Sequence, residues 1–231
     1  MPKITTIEPH RRRPDEWHIS LDGDYAFTLD GATLVAESLA VGMELSEDDI
    51  TRLRAAAEER RIYDSALSFL TARPRSRAEV RRRLLRPRPN RQTPAPEVVD
   101  RVLARLERMG LLDDREFSEF WVEQRERFSP RSASAVRFEL RQRGVAREIT
   151  EETVDSDQDE ERALTAGRQR LRSLGGLDYE TFRDRLGPFL LRRGFSYTIA
   201  RQVTKTLWEE THGDTPEEDA EDGTGDTLDD D

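Results

Sequence analysis

Residues 136–149, VRFELRQRGVAREI, return at 186–199 as LGPFLLRRGFSYTI. Val136, Leu140, Arg141, Arg143, Gly144, Val145 and Ile149 answer to Leu186, Leu190, Leu191, Arg193, Gly194, Phe195 and Ile199. Two apolar residues one helical turn apart, then Arg-Gly and an apolar residue, read as a helix ending on a left-handed glycine. The opening also occurs upstream, where Val80 and Leu84 take the places of Val136 and Leu140. There the glycine gives way to a Pro-rich stretch, Pro87 to Pro96. Repetition at this period predicts tandem helical units, placed near 66–112, 113–157 and 158–210, with three helices each. Such units bury little apolar surface alone and stack on their neighbours, so an elongated, curved array is expected.

Start and stop signals support the reading. Ser46 with Asp49, Ser76 with Glu79 and Asp113 with Glu116 have capping-box spacing. Leu45 with Ile50 and Leu112 with Phe117 stand at staple positions. Gly110, Gly144 and Gly194 each follow a helical run and precede an apolar residue. Val99, Val102, Leu103 and Leu106 form one apolar stripe, and Leu186, Phe189 and Leu190 another.

Upstream of these helices the pattern changes to β. Trp17, Ile19 and Leu21 alternate with polar residues, as do Tyr25, Phe27 and Leu29, and Asp22-Gly23 between them marks a hairpin. Ile4 to Ile7 offers a third strand. A lone hairpin is marginal, so this ribbon must lean on helix. The expected order is a β-ribbon region over 1–45, a connecting helix over 46–65, the three repeats, and a disordered acidic tail over 211–231. Thr150 to Glu161 holds seven acids and no base, which suits a helix end running into a linker.

The net charge of −10 is unevenly distributed. From Glu209 to Asp231 there are 12 acidic residues and no Lys or Arg, which leaves 38 basic and 36 acidic residues in 1–208. Between Arg73 and Arg91 there are nine arginines against Glu79 alone. An acidic total therefore does not exclude a polyanionic partner. The tail is expected to serve solubility, with competition for the basic surface as the alternative. The chain has no cysteine, hence no disulfide and no thiolate metal site. With no apolar run of membrane length and no signal peptide, a cytoplasmic protein without membrane association is expected.

No catalytic constellation emerges. His10, His18 and His212 lack metal-ligand spacing, two of them in terminal or loop-like positions and one on a strand. Gly175-Gly176 sits in a helix connection, where no nucleotide loop belongs. Asp113-Asp114 reads as a helix N-cap before it reads as an acid/base pair. Phe117, Phe120, Trp121 and Phe128 read as core before they read as a base-stacking platform. No enzyme, cofactor or metal is expected.

The arginines carry more. Successive helical positions point about 100° apart, so Arg81, Arg82 and Arg83 present charge on several sides, with Arg86 and Arg88 beyond. Arg141, Arg143, Arg192 and Arg193 end matching helices. They either complement helix dipoles or form a recurring basic ridge. Arg, with only Lys3 and Lys205 beside it, suits bidentate capture of carboxylate or phosphate.

Several segments, in order, resemble the RecX family of regulatory proteins. They begin with Ala66 to Ser76, followed by Glu79-Val80 and Leu84. Next come Met109 to Asp114 with Phe117, Trp121-Val122 and Arg125. The last are Glu139 to Val145 and Leu191 to Ser196. Ile4 to Pro9, Leu21 to Phe27 and Gly42 to Leu45 are similar to the extended N-terminal region of some members. The likeness covers about residues 3–207. It implies three tandem three-helix repeats and a monomeric modulator, usually an inhibitor, of the RecA recombinase. Such proteins lie in the groove of the RecA filament on single-stranded DNA, and some also bind DNA directly. The contact candidates are Arg81, Arg82, Arg86, Arg125, Arg141, Arg143, Arg192 and Arg193, meeting RecA or single- or double-stranded DNA. The alternative is a DNA-binding helical module acting without RecA. The chain departs from the family in its Pro-rich insertion, in Ser129-Pro130-Arg131-Ser132 where a glycine is more usual, and in its acidic tail.

Overall fold

The computed structural model describes residues 1–89 and 92–213. The tail expected over 211–231 lies outside these from residue 214 onward, as do two residues of the Pro-rich stretch. The chain is mainly helical, with one three-stranded antiparallel sheet at its N-terminus. It forms two compact units, Met1–Phe117 with Arg143–Val145, and Ser118–Gln142 with the chain from Ala146 onward.

The sheet comprises β1 (Ile4–His10), β2 (Arg13–Leu21) and β3 (Asp24–Asp30), in that spatial order. The expected third strand is thus β1, and His10 ends it rather than lying in a loop. Asp22 and Gly23 both have positive φ, 52° and 97°, as the tight turn between β2 and β3 demands. Ile4, Ile19, Phe27 and Leu29 are buried against Leu39, Leu45, Ile50 and Leu53, so the ribbon does lean on helix. Tyr25 departs from the expected alternation. Ile19 pairs with Phe27, but Ser20 pairs with Tyr25, so β3 carries an extra residue. This bulge moves Tyr25 off the core face and leaves it 64% exposed.

Asp30 caps the short α1 (Gly31–Ala36), its carboxylate accepting from the Thr33 N–H at 2.7 Å. Ser46 and Asp49 form the expected capping box at the start of α2 (Glu47–Leu70). That helix is continuous through residue 65, where a connecting helix was expected to give way to the first repeat. With α3 (Arg77–Leu85) and α4 (Pro96–Arg108), α2 encloses a core of Ile62, Ala66, Val80, Val99, Leu103 and Leu106. Ser76 accepts from the Glu79 N–H, but no reciprocal bond completes a box, because the Glu79 carboxylate turns to Arg73 at 3.4 Å.

The helix α5 (Asp114–Phe128) opens with the Asp113 carboxylate accepting from the Arg115 N–H at 2.7 Å, the expected cap. It is followed by α6 (Ala133–Gln142), α7 (Arg147–Thr153), α8 (Asp159–Leu171), α9 (Tyr179–Arg192) and α10 (Tyr197–His212). Ala163, Phe182, Leu186, Leu190, Val203 and Leu207 make the main core of the second unit. The aromatic stripe of α5 is only partly core: Phe117 is fully buried, while Phe128 is 65% exposed beneath the Arg127 guanidinium. Phe128 is the last residue of its helix, where no neighbouring layer covers it.

Candidate interaction surface

Each unit contains the same junction between a helix start and an Arg-Gly turn. In the first, the Ser76 hydroxyl donates to the Arg143 carbonyl at 2.6 Å, and the Asp114 carboxylate accepts from the Arg77 N–H at 2.7 Å. In the second, the Ser132 N–H donates to the Arg193 carbonyl at 3.1 Å, and the Asp159 carboxylate accepts from the Ala133 N–H at 2.7 Å. A helix start leaves its first N–H groups without intrahelical partners, and here the helix's own N-cap serine and an aspartate from farther along the chain accept from them. Gly144 and Gly194 have φ of 83° and 91° and come so close to these starts that a side chain would collide. Around Gly194 an added Cβ would lie 2.5 Å from Ser132 Oγ and 2.9 Å from Ala135 Cβ.

This geometry divides the eight candidate arginines. Arg81 is held by Asp100 through bonds of 2.8 and 3.1 Å, which raise its pKa further. Arg125 lies 2.7 Å from Glu139 and 4.8 Å above the Trp121 ring. Arg143 is half-buried, its Nε 3.9 Å from Glu79. Arg193 is half-buried too, donating to Ser129 Oγ at 3.0 Å and the Pro130 carbonyl at 2.9 Å. Burial, and then the nearby charges of Arg131, Arg125 and Arg170, lower the pKa of Arg193. Arg82, Arg86, Arg141 and Arg192 are exposed and have no ion pair among the described residues. Three of these, Arg82, Arg141 and Arg192, occupy the last turns of α3, α6 and α9.

The pair Asp113-Asp114 separates into two capping roles. Asp113 caps its own helix, and Asp114 caps α3. Burial pushes the Asp114 carboxyl up from its usual range, opposed by its bond to Arg77 and reinforced by Asp113 and Glu79. Residue types alone did not reveal Asp114 and Asp159 as junction residues. The available signal was their matching placement, each at the first position of its own helix. Arg162 was also missed. Its side chain, directly after the acidic segment read as a linker, is only 7% exposed and pairs with Glu126 at 2.9 Å. Among the described residues, no three His, Asp or Glu side chains are grouped to hold a metal, and no helix is long and apolar enough to cross a membrane.

Short helices whose starts are capped by polar groups of the same unit, with exposed arginines in the last turns of three of them, define a mainly helical protein built from repeated helical domains. Three matches to sequence models of one family specify it. Residues 63–86 match "RecX, first three-helix domain", 113–154 the second such domain and 157–204 the third. The chain belongs to the RecX family. The first match ends at Arg86, where the Pro-rich stretch begins. Among its relatives, the regulatory protein RecX of Bacillus subtilis is 28% identical over 221 residues, 94% of this chain and 82% of that one. That of Lactobacillus johnsonii is 28% identical over 211 residues, 90% and 75% of the two chains. A crystal structure of a regulatory protein RecX superposes with a TM-score of 0.65 at 23% identity, over 88% of this chain and 98% of that one. RecX from Lactobacillus salivarius gives 0.52 at 21%, over 65% and 96%. These two share the fold.

Proposed function

We propose that this chain binds RecA filaments on single-stranded DNA and restrains them, without catalysis of its own. It lowers ATP hydrolysis, strand exchange and RecA-assisted repressor cleavage, acting as a cytoplasmic monomer in DNA repair, recombination and SOS control. The repeats act as three units, near 66–112, 113–157 and 158–210. The observation that carries the reading is the recurrence of exposed, unpaired arginine at the last turns of α3, α6 and α9 in a member of this family. A guanidinium in that position meets carboxylate or phosphate with two parallel hydrogen bonds. Arg81 and Arg143 in the first unit, and Arg125 and Arg193 in the second, are held by partners of their own.

The test is ATP hydrolysis by RecA on single-stranded DNA, titrated with this protein well below one copy per RecA. Hydrolysis is expected to fall. The triple variant Arg82→Glu, Arg141→Glu, Arg192→Glu should lose the effect while keeping its helical circular dichroism. Full inhibition by that variant would remove the arginine surface from the reading. No inhibition by the unaltered protein, together with tight duplex binding, would favour a DNA-binding module acting without RecA.

A further inference from the structure

The N-terminal sheet carries three neighbouring rings that the proposed arginine contacts do not use. His10 on β1, His18 on β2 and Tyr25 on β3 are neighbours, the histidine rings tilted by 41° with centroids 4.7 Å apart, and His18 and Tyr25 meeting edge to face at 76° and 5.6 Å. Tyr25 joins the row only because of the bulge opposite Ser20. The rings are held at their polar edges. Thr28 Oγ1 lies 3.0 Å from the Tyr25 hydroxyl and 2.9 Å from His18 Nδ1, while His10 Nδ1 accepts from the Arg12 N–H at 3.1 Å. Such a platform is already ordered, so a ligand stacking on it loses little entropy in the protein.

The row lines a cleft of about 580 Å³ between the sheet and α2. The cleft shares its Arg13, Arg60 and Asp64 wall with a second, of about 780 Å³, reaching Arg12, Arg83 and Arg88. Most acids of these walls are already engaged: Glu16 with Arg13 at 2.7 Å, Asp64 and Asp30 with Arg60 at 3.1 and 3.8 Å, and Glu58 with Arg61 at 3.8 Å, which leaves Asp15 as the one lining carboxylate without an ion pair among the described residues. Arg12, Arg54, Arg83 and Arg88 remain, with no carboxylate partner among the described residues. Neighbouring rings at different tilts, flanked by guanidinium groups without carboxylate partners, match a splayed, unstacked run of bases flanked by phosphates. A duplex hides its base faces, and an acidic peptide has no use for three adjacent rings.

We propose that this sheet face binds single-stranded nucleic acid. Two or three bases stack on Tyr25, His18 and His10, and the phosphates meet Arg12 and Arg54. The site is separate from the arginine surface proposed above, and its test needs no RecA. Full-length protein is titrated into a fluorescein-labelled dT 20-mer and followed by anisotropy at low salt. Tyr25→Ala should weaken binding about tenfold, the loss expected for removing one stacking ring. Tyr25→Phe, which keeps the ring and drops only the hydroxyl, should stay within about twofold, by the same reasoning. Arg54→Glu should weaken binding as well, through a residue exposed on α2 whose loss leaves the sheet intact. Affinity for a duplex of the same length should not change with Tyr25→Ala. The proposal is overturned by no binding of the 20-mer, by equal affinity of Tyr25→Ala and the unaltered protein, or by Phe behaving as Ala does.

Discussion

The Ser76 hydroxyl and the Arg143 main-chain carbonyl, 67 positions apart, share a hydrogen bond of 2.6 Å. The same oxygen accepts from the Glu79 N–H at 3.1 Å, so one fully buried serine both starts α3 and holds the Arg-Gly turn against it. Ser76→Ala removes the cap and strands a buried carbonyl. The expected loss is about 2 kcal/mol, from roughly 1 for a cap and 1 or more for an unsatisfied acceptor. Urea unfolding of the variant checks it. A loss below about 0.5 kcal/mol, the bottom of the capping range, would mean that water replaces the contact.

Gly110 and Gly144 separate backbone strain from steric fit. Both have positive φ, 66° and 83°. Nothing lies within 4 Å of the Cβ that Gly110 lacks, whereas that of Gly144 would collide with the Ala78 methyl. Gly110→Ala should cost about 1 kcal/mol, the left-handed penalty alone. Gly144→Ala adds overpacking against a helix start, about 1–3 kcal/mol more. Thermal melts of the two variants should rank them in that order. Equal melting temperatures would show that the turn shifts freely.

The raised pKa of Asp114 makes stability depend on pH. Burial disfavours its charged form, so the folded protein holds this proton more tightly than the unfolded chain does. Its contribution is therefore most favourable below the ordinary carboxylate range near pH 4, and is lost as pH rises through that range and above it. Asp114→Asn keeps an oxygen for the Arg77 N–H and cannot ionise. The stability of Asp114→Asn minus that of the unaltered protein should grow as pH is raised from about 4 to 7, the span above that range. A difference that stays flat over this range would contradict the assignment.

Arg162 is the most deeply buried charge described for the second unit. Its guanidinium takes Glu126 at 2.9 Å and Asp159 at 3.4 Å, and Asp159 in turn caps α6. Removing a buried cation from its partners leaves uncompensated carboxylates, so Arg162→Ala should cost about 3 kcal/mol. Glu126, with 42% of its side chain exposed, can be solvated when alone. Glu126→Gln should cost under about 1 kcal/mol, as surface pairs do. Guanidinium denaturation of both variants tests the asymmetry, and similar losses would place the burial elsewhere.

Much of this molecule is legible in its sequence, because the determining interactions are local. Apolar spacing, capping serines and glycines at helix ends depend on neighbours three or four positions away, and Ser46, Gly110, Gly144 and Gly194 all take the roles their spacing implies. The Asp22-Gly23 turn and the three-unit repeat are local in the same sense. The tertiary structure alone assigned Asp114 and Asp159 to helices other than their own, split the arginines into held and exposed sets, and buried Arg162 at the end of an acidic segment. It also turned Tyr25 out beside His18, because a single bulge reverses which face a side chain occupies. Period and composition say what a residue offers. Which N–H, carboxylate or ring it meets depends on chain segments tens of positions away, and only packing brings those together.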